Sequence, residues 1–196
     1  MAQVKIKPFS WHRMSEAIDA VRRRLERAAG ALSEAELAYA VVGGNAVAAW
    51  VTKVDRAAVR FTQDVDLLVQ RHDLERIRRV MENAGFSYRH AKGLDLFLES
   101  PDAKARDAVH LVFAGEKVRP DHLTAAPGLD KTQLDQGLNI VSLDALVEMK
   151  LNSYRRKDQV HLLDMIGVGL IDRSWLDRVP TALSDRLREL LDDPEG

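Results

Sequence analysis

Apolar residues at Met14, Ile18, Val21, Leu25, Ala28 and Leu32 step by four and three along the chain, the spacing of one helical stripe, with Gly30 near its end. The arginines of this stretch fall mostly off that stripe. Ala38-Tyr39-Ala40-Val41-Val42 is a short, almost wholly apolar run that halts at Gly43-Gly44, which predicts a buried strand, and the Ala-rich Asn45 to Trp50 predicts the start of a helix. A turn-like stretch from Thr52 to Ala57 leads to Val65-Asp66-Leu67-Leu68-Val69, a second strand dense enough in apolar residues to be buried. Asp73 is placed to cap a helix whose apolar positions Leu74, Ile77, Met81 and Ala84 share a face, and Gly85 ends it. Three further strands are expected at Phe86 to His90, Leu94 to Glu99 and Ala108 to Phe113, with a polar turn from Asp102 to Arg106 between the last two.

From Gly115 to Gly137 the chain carries Pro120, Pro127 and three glycines with no clear period, so this long connection reads as a candidate substrate or partner loop. Ser142 caps a helix running to about Arg155, Asp158 begins another to about Val168, and a last one covers Thr181 to Leu191. No internal repeat is visible. The order predicts an α+β fold, divided into a core of residues 1–139 with its N-terminal helix and a helical part of residues 140–196 packed on it.

Composition narrows the possibilities without choosing among them. A chain of 196 residues suits one domain or a core with an extension, able to bury roughly 70% of its unfolded surface without a disulfide or structural zinc. Zero cysteines exclude thiolate metal sites, disulfide frameworks and cysteine nucleophiles. No apolar run approaches the roughly 18 residues of a membrane span, and Met1 to Lys7 lacks the apolar stretch of a signal peptide. A soluble, cytoplasmic protein with no membrane partner is therefore expected. The 29 basic and 30 acidic residues nearly cancel, yet residues 1–33 hold seven basic and three acidic side chains, whereas residues 172–196 hold four and seven. Solvated helix faces account for such an asymmetry as readily as a partner does.

Two stretches carry chemistry. Gly43 and Gly44, at the end of a buried strand, let the backbone turn sharply and let a phosphate approach peptide N–H groups and the N-terminus of the next helix. Taken alone, a plain strand-to-helix turn explains them as well. In Arg60-Phe61-Thr62-Gln63-Asp64-Val65-Asp66, extended backbone puts Asp64 and Asp66 side by side on one face. Like charges so placed repel, a divalent cation relieves the repulsion, and two carboxylates plus substrate phosphates is a usual way to hold Mg²⁺.

Together, a strand ending in Gly-Gly, a helix, and Arg-x-Thr-x-Asp-x-Asp before apolar residues resemble the signature of the nucleotidyltransferase superfamily with the DNA polymerase beta type of fold. The nearest resemblance is to the small bacterial AbiEii-like, abortive-infection and toxin–antitoxin branch. The resemblance covers about Ala38 to Phe113 and returns at Ser142 to Asp164. It implies a nucleotidyltransferase-like mixed sheet flanked by helices, with Gly43 and Gly44 on the nucleotide, Asp64 and Asp66 on Mg²⁺ or Mn²⁺, and Arg60 and Thr62 lining the site. Lys150 lies in an otherwise apolar helical stripe with Leu143, Val147 and Tyr154, where it must reach water or meet an anion. By resemblance, Lys150 and Asp158 match a lysine near the nucleotide and an acidic residue after it, while Asp164 reads better as a solvated helix position.

One position departs from the pattern. Active members of the superfamily bring a third carboxylate on a neighbouring strand, and here the matching strand, Asp107-Ala108-Val109-His110-Leu111-Val112-Phe113, offers His110. Asp107, three residues away, faces the other side. An imidazole can take a proton, or bind a metal softer than Mg²⁺. It also suits a half-buried structural histidine. The expected function is metal-dependent transfer of a nucleoside monophosphate from an NTP to a hydroxyl of RNA, protein or a small molecule, with RNA or a cognate antitoxin protein as candidate partners. The alternative is a catalytically inactive nucleotide-binding or protein-interaction module of the same fold. Neither a Gly-x-Ser-x-Gly elbow, a His-Glu-x-x-His motif nor a Walker-type lysine is present, and the six histidines lack zinc-ligand spacing.

Overall fold

The computed structural model describes residues 8–100, 103–104 and 107–194. Lys5, Lys7 and much of the turn expected at Asp102 to Arg106 lie outside them. Ser10 caps helix α1 (Trp11–Glu34) through a bond from the Arg13 N–H, and the expected stripe is buried only in its second half, at Leu25, Ala28 and Leu32, while Met14 is exposed. Strand β1 (Tyr39–Val42) runs directly into α2 (Gly43–Thr52), which starts on the glycines themselves rather than at Asn45. Next come β2 (Val65–Val69) and a 3-10 turn at Arg71–Asp73, which leads into α3 (Leu74–Asn83). Asp73 makes no side-chain cap bond there.

Three strands follow as expected: β3 (Ser87–Ala91), β4 (Leu94–Leu98) and β5 (Val109–Phe113). The stretch from Gly115 to Gly137 is not all loop. It ends in β6 (Thr132–Asp135), which folds back as a hairpin on β7 (Leu138–Val141), and neither strand was expected from the sequence. The two-residue turn between them, Gln136 and Gly137, has φ of 47° and 82°, the left-handed pair that matches the twist of a hairpin. Helices α4 (Leu143–Ser153), α5 (Arg156–Gly167) and α6 (Thr181–Asp192) complete the described chain, with a 3-10 turn at Arg173–Asp177. Ser142 caps α4 by accepting from the Ala145 N–H. The 139/140 division expected between core and helical part falls inside β7.

One mixed seven-stranded sheet, in the order β3-β4-β5-β2-β1-β7-β6, carries the fold. The central strands β5, β2 and β1 hold the apolar runs that the sequence singles out, because a strand covered on both faces must be apolar at nearly every position. Helix α1 lies on β2 and β5 and meets α3, while α2 packs on β1 and β2 and contacts α4 and α5, against which α6 closes. Leu67 and Leu68 of β2 are fully buried. Leu67→Ala is expected to lower the free energy of unfolding by about 2–5 kcal/mol, read from urea denaturation.

Candidate functional site

Strand register builds the site. Val42 of β1 pairs with Asp66 of antiparallel β2, so the turn after Val42 lies beside that carboxylate. Gly43 takes φ +68°, and a Cβ there would overlap the Asp66 carboxylate. A Cβ on Gly44 would press on Thr62, with Cβ at 2.9 Å and Oγ1 at 3.1 Å. Gly43 is thus demanded by Asp66 and Gly44 by Thr62, before any ligand is considered. The Thr62 hydroxyl donates to Asp64 Oδ1, and Asn45 Nδ2 donates to the Asp64 carbonyl at 2.9 Å.

The two carboxylates differ electrically. Burial and the neighbouring Asp64 charge push the Asp66 carboxyl upward, outweighing the pull of His110, Lys150 and Lys157. Burial also acts to raise Asp64, but the Thr62 hydrogen bond and Lys157, whose Nζ lies 3.5 Å from Asp64 Oδ2, outweigh it and bring Asp64 below the usual range. His110 of β5 stands opposite Asp66 in the parallel register, so both side chains rise from the same face of the sheet, as strand parity requires. The position expected to hold a third carboxylate is therefore occupied by imidazole.

Two oxygen-bearing groups held apart by one residue fit an oxygen-seeking divalent ion that takes the rest of its shell from water and phosphate. Among the described residues, no group of three or more His, Cys, Asp or Glu side chains could hold a metal by itself.

Lys150 meets its anion inside the protein. Its Nζ lies 3.0 Å from Asp158 Oδ1, and only 6% of its side chain is exposed. Asp158 Oδ2 accepts from Arg155 Nε at 2.8 Å and from the Arg155 N–H at 3.3 Å. Burial alone would raise the Asp158 carboxyl, yet Lys150 and Arg155 bring it down to about 2. Burial also lowers Lys150, against the pull of Asp158. Asp158 commits both oxygens to cations, so it fixes Lys150 and Arg155 at the cavity wall. Tyr154, expected on the stripe of Lys150, instead ends α4 in the left-handed conformation at φ 45°.

Arg60 is turned away from the site. Its Nε donates to both oxygens of Asp164 at 2.8 Å, and Asp164 is only 13% exposed, so it is a partner of Arg60 rather than a solvated position.

These residues surround one cavity of about 800 Å³, within the range of small-ligand sites. Gly43, Gly44, Thr62, Asp64, Asp66, His110, Lys150 and Asp158 all line it, and Arg60 does not. Sequence reasoning missed several of its neighbours. Lys157 follows a doublet of arginines and carries no signal beyond charge. Phe61, Leu94 and Val118 are exposed apolar residues from three separate segments that converge on the same cavity. Asn152 accepts from the N–H groups of Leu123 and Thr124 and donates to the Thr124 carbonyl, fastening part of the expected substrate loop as a cavity wall. The basic N-terminal helix is largely neutralised: Arg24 and Arg27 pair with Glu99, and Arg22 lies near Asp19 and Glu26.

A family model described as "Uncharacterised nucleotidyltransferase" matches residues 11–166. No curated protein matches the chain. Among solved structures, the antibiotic-resistance factor ANT(2'')-Ia, in complex with adenylyl-2''-tobramycin, is 14% identical with a TM-score of 0.53 over 87% of this chain and 98% of its own. An antigenic nucleotidyltransferase-like protein from Paracoccidioides brasiliensis is 17% identical, TM-score 0.54, over 90% and 91% of the two chains. Megavirus polyadenylate synthase is 10% identical, TM-score 0.51, and the match spans 85% of this chain but 40% of that one. At these identities the likeness is one of fold.

Two measurements test the local energetics. Gly43→Ala is expected to cost at least about 1 kcal/mol of stability, because an L-residue is strained in the left-handed region before any overlap with Asp66 is counted. His161, in the cavity wall, is pushed by burial, and then by the Lys150 charge, from 6.5 down to about 4. Between those values the unfolded chain binds more protons than the folded one, so stability is fully present above 6.5 and is lost as pH falls to about 4. Chemical denaturation at successive pH values is expected to show that slope, and His161→Gln to flatten it.

Proposed function

We propose, on the premise that the chain belongs to the family of uncharacterised nucleotidyltransferases whose model spans residues 11–166, that it transfers a nucleoside monophosphate from an NTP to an acceptor hydroxyl. The observation that carries this reading is the convergence of the Gly43 turn, Asp64, Asp66 and Lys150 on one cavity. In this reading the glycine turn and the start of α2 receive phosphate oxygens on backbone N–H groups, and Thr62 orients Asp64. Asp64 and Asp66 hold a divalent ion, Mg²⁺ or Mn²⁺, which when bound stabilises charge developing on the attacking and leaving oxygens. Lys157 neutralises part of the triphosphate charge, exchanging its contact with Asp64 for phosphate oxygen, while Lys150, held by Asp158, lines the same cavity. The acceptor oxygen forms its bond to the α-phosphorus, the bond to the bridging oxygen breaks, and pyrophosphate leaves. His110 is the proton acceptor for that hydroxyl. The exposed ring of Phe61 offers flat contact to a nucleobase, and Leu94 and Val118 add apolar surface to the same cavity.

Kinship with the AbiEii-like, toxin–antitoxin branch, with RNA or an antitoxin protein as partner, belongs to the same proposal and is supported by the glycine and paired-aspartate motifs alone. The adenylyl-2''-tobramycin of ANT(2'')-Ia makes a small-molecule hydroxyl another acceptor class to test. A second reading, an inactive nucleotide-binding module, is favoured by one observation: the imidazole of His110 across from Asp66.

Incubation with each α-labelled NTP, Mg²⁺ or Mn²⁺, and pools of RNA, protein and small-molecule acceptors separates the two. Transfer that falls to background in Asp64→Asn and Asp66→Asn is the expected outcome. Nucleotide binding without transfer in either metal favours the inactive module instead, and absence of both binding and transfer overturns the nucleotide site.

A further inference from the structure

The carboxylate pair sits where the chain enters β2, and like charges so close push that segment apart. The backbone there is pinned from outside. Arg24, on α1, has a buried side chain, 7% exposed. Its Nε and Nη2 face Glu99 Oε2 at 2.9 and 2.8 Å, and its Nη1 donates to the Gln63 carbonyl at 2.9 Å. The rigid fork of a guanidinium makes this division possible: one edge takes the carboxylate and the remaining nitrogen is aimed at the peptide. The next carbonyl, of Asp64, accepts from Asn45 Nδ2 at 2.9 Å, and the Val65 N–H donates to the Ala108 carbonyl at 3.1 Å. Two successive peptide groups, 63–64 and 64–65, are thereby fixed from α1, α2 and the residue just before β5, the second at both its carbonyl and its N–H. Arg27 binds the same Glu99, at 2.6 Å, and stacks over Phe86, and it makes no bond to the Gln63 carbonyl.

We propose that Arg24 is a positioning residue for the carboxylate pair: anchored by Glu99, it holds the Gln63 carbonyl and so sets where Asp64 stands relative to Asp66. This rests on the reading of Asp64 and Asp66 as the pair that takes the divalent ion.

The test is Mn²⁺ titration of the purified chain, with and without a non-hydrolysable ATP analogue, following the electron paramagnetic resonance signal of free Mn²⁺, alongside thermal melts. Arg24→Met is expected to weaken Mn²⁺ binding by about 10-fold or more, the usual cost of losing an outer support of a metal site. Arg27→Met, which removes an ion pair to the same Glu99, is expected to leave Mn²⁺ affinity unchanged. Arg24→Lys keeps the charge without the fork and is expected to weaken Mn²⁺ binding while melting close to the wild type, so it carries the test if Arg24→Met does not fold. Equal Mn²⁺ affinity in wild type and a folded Arg24 variant, or an equal loss in Arg27→Met, overturns the positioning role. A wild-type chain that binds no Mn²⁺ with or without the analogue instead overturns the underlying reading of the carboxylate pair, and the positioning role with it.

Discussion

A carboxylate can lie against a peptide turn only if the turn has no side chain to occupy the space, and this contact between Asp66 and Gly43 ties the site together. It fixes Val42 opposite Asp66, which brings the end of β1 and the start of β2 to the same point. It also obliges α2 to begin within one residue of the strand, so the helix N-terminus and the acids face one cavity. The glycines therefore serve the acids first. Their openness to a phosphate follows from the same lack of side chains.

Charge around the cavity is arranged in two tiers. In the cavity wall, Asp158 pairs with both Lys150 and Arg155, which holds a buried ammonium in place. In front, burial and the Asp64 charge push the Asp66 carboxyl up, whereas at Asp64 a hydroxyl donor and the nearer lysine outweigh burial and bring it down. A cation placed between them would oppose the repulsion that the Asp64 charge adds at Asp66.

The readable parts of the sequence were those set by local spacing. Alternation puts Asp64 and Asp66 on one face and His110 in the matching position of β5, and apolar density marks β1 and β2 as buried. What stayed hidden depends on distance along the chain. Arg24 finds Glu99 75 residues away, and Arg60 finds Asp164 104 residues away, so neither role has a local trace. The hairpin of β6 and β7 escaped notice because Gln136 is not a residue that advertises a left-handed turn, and four-residue strands are too short to show alternation. Tyr154 looked helical by spacing, whereas the bond from its N–H to the Lys150 carbonyl closes α4 there.

His110 meets Asp66 across two parallel strands, in a place where the backbone is fixed by the ladder and only the side chain is free to vary. A histidine codon becomes an aspartate codon through one base change. The interval between a nitrogen donor and an oxygen donor at this spot is therefore a single mutational step, taken without disturbing a strand pairing.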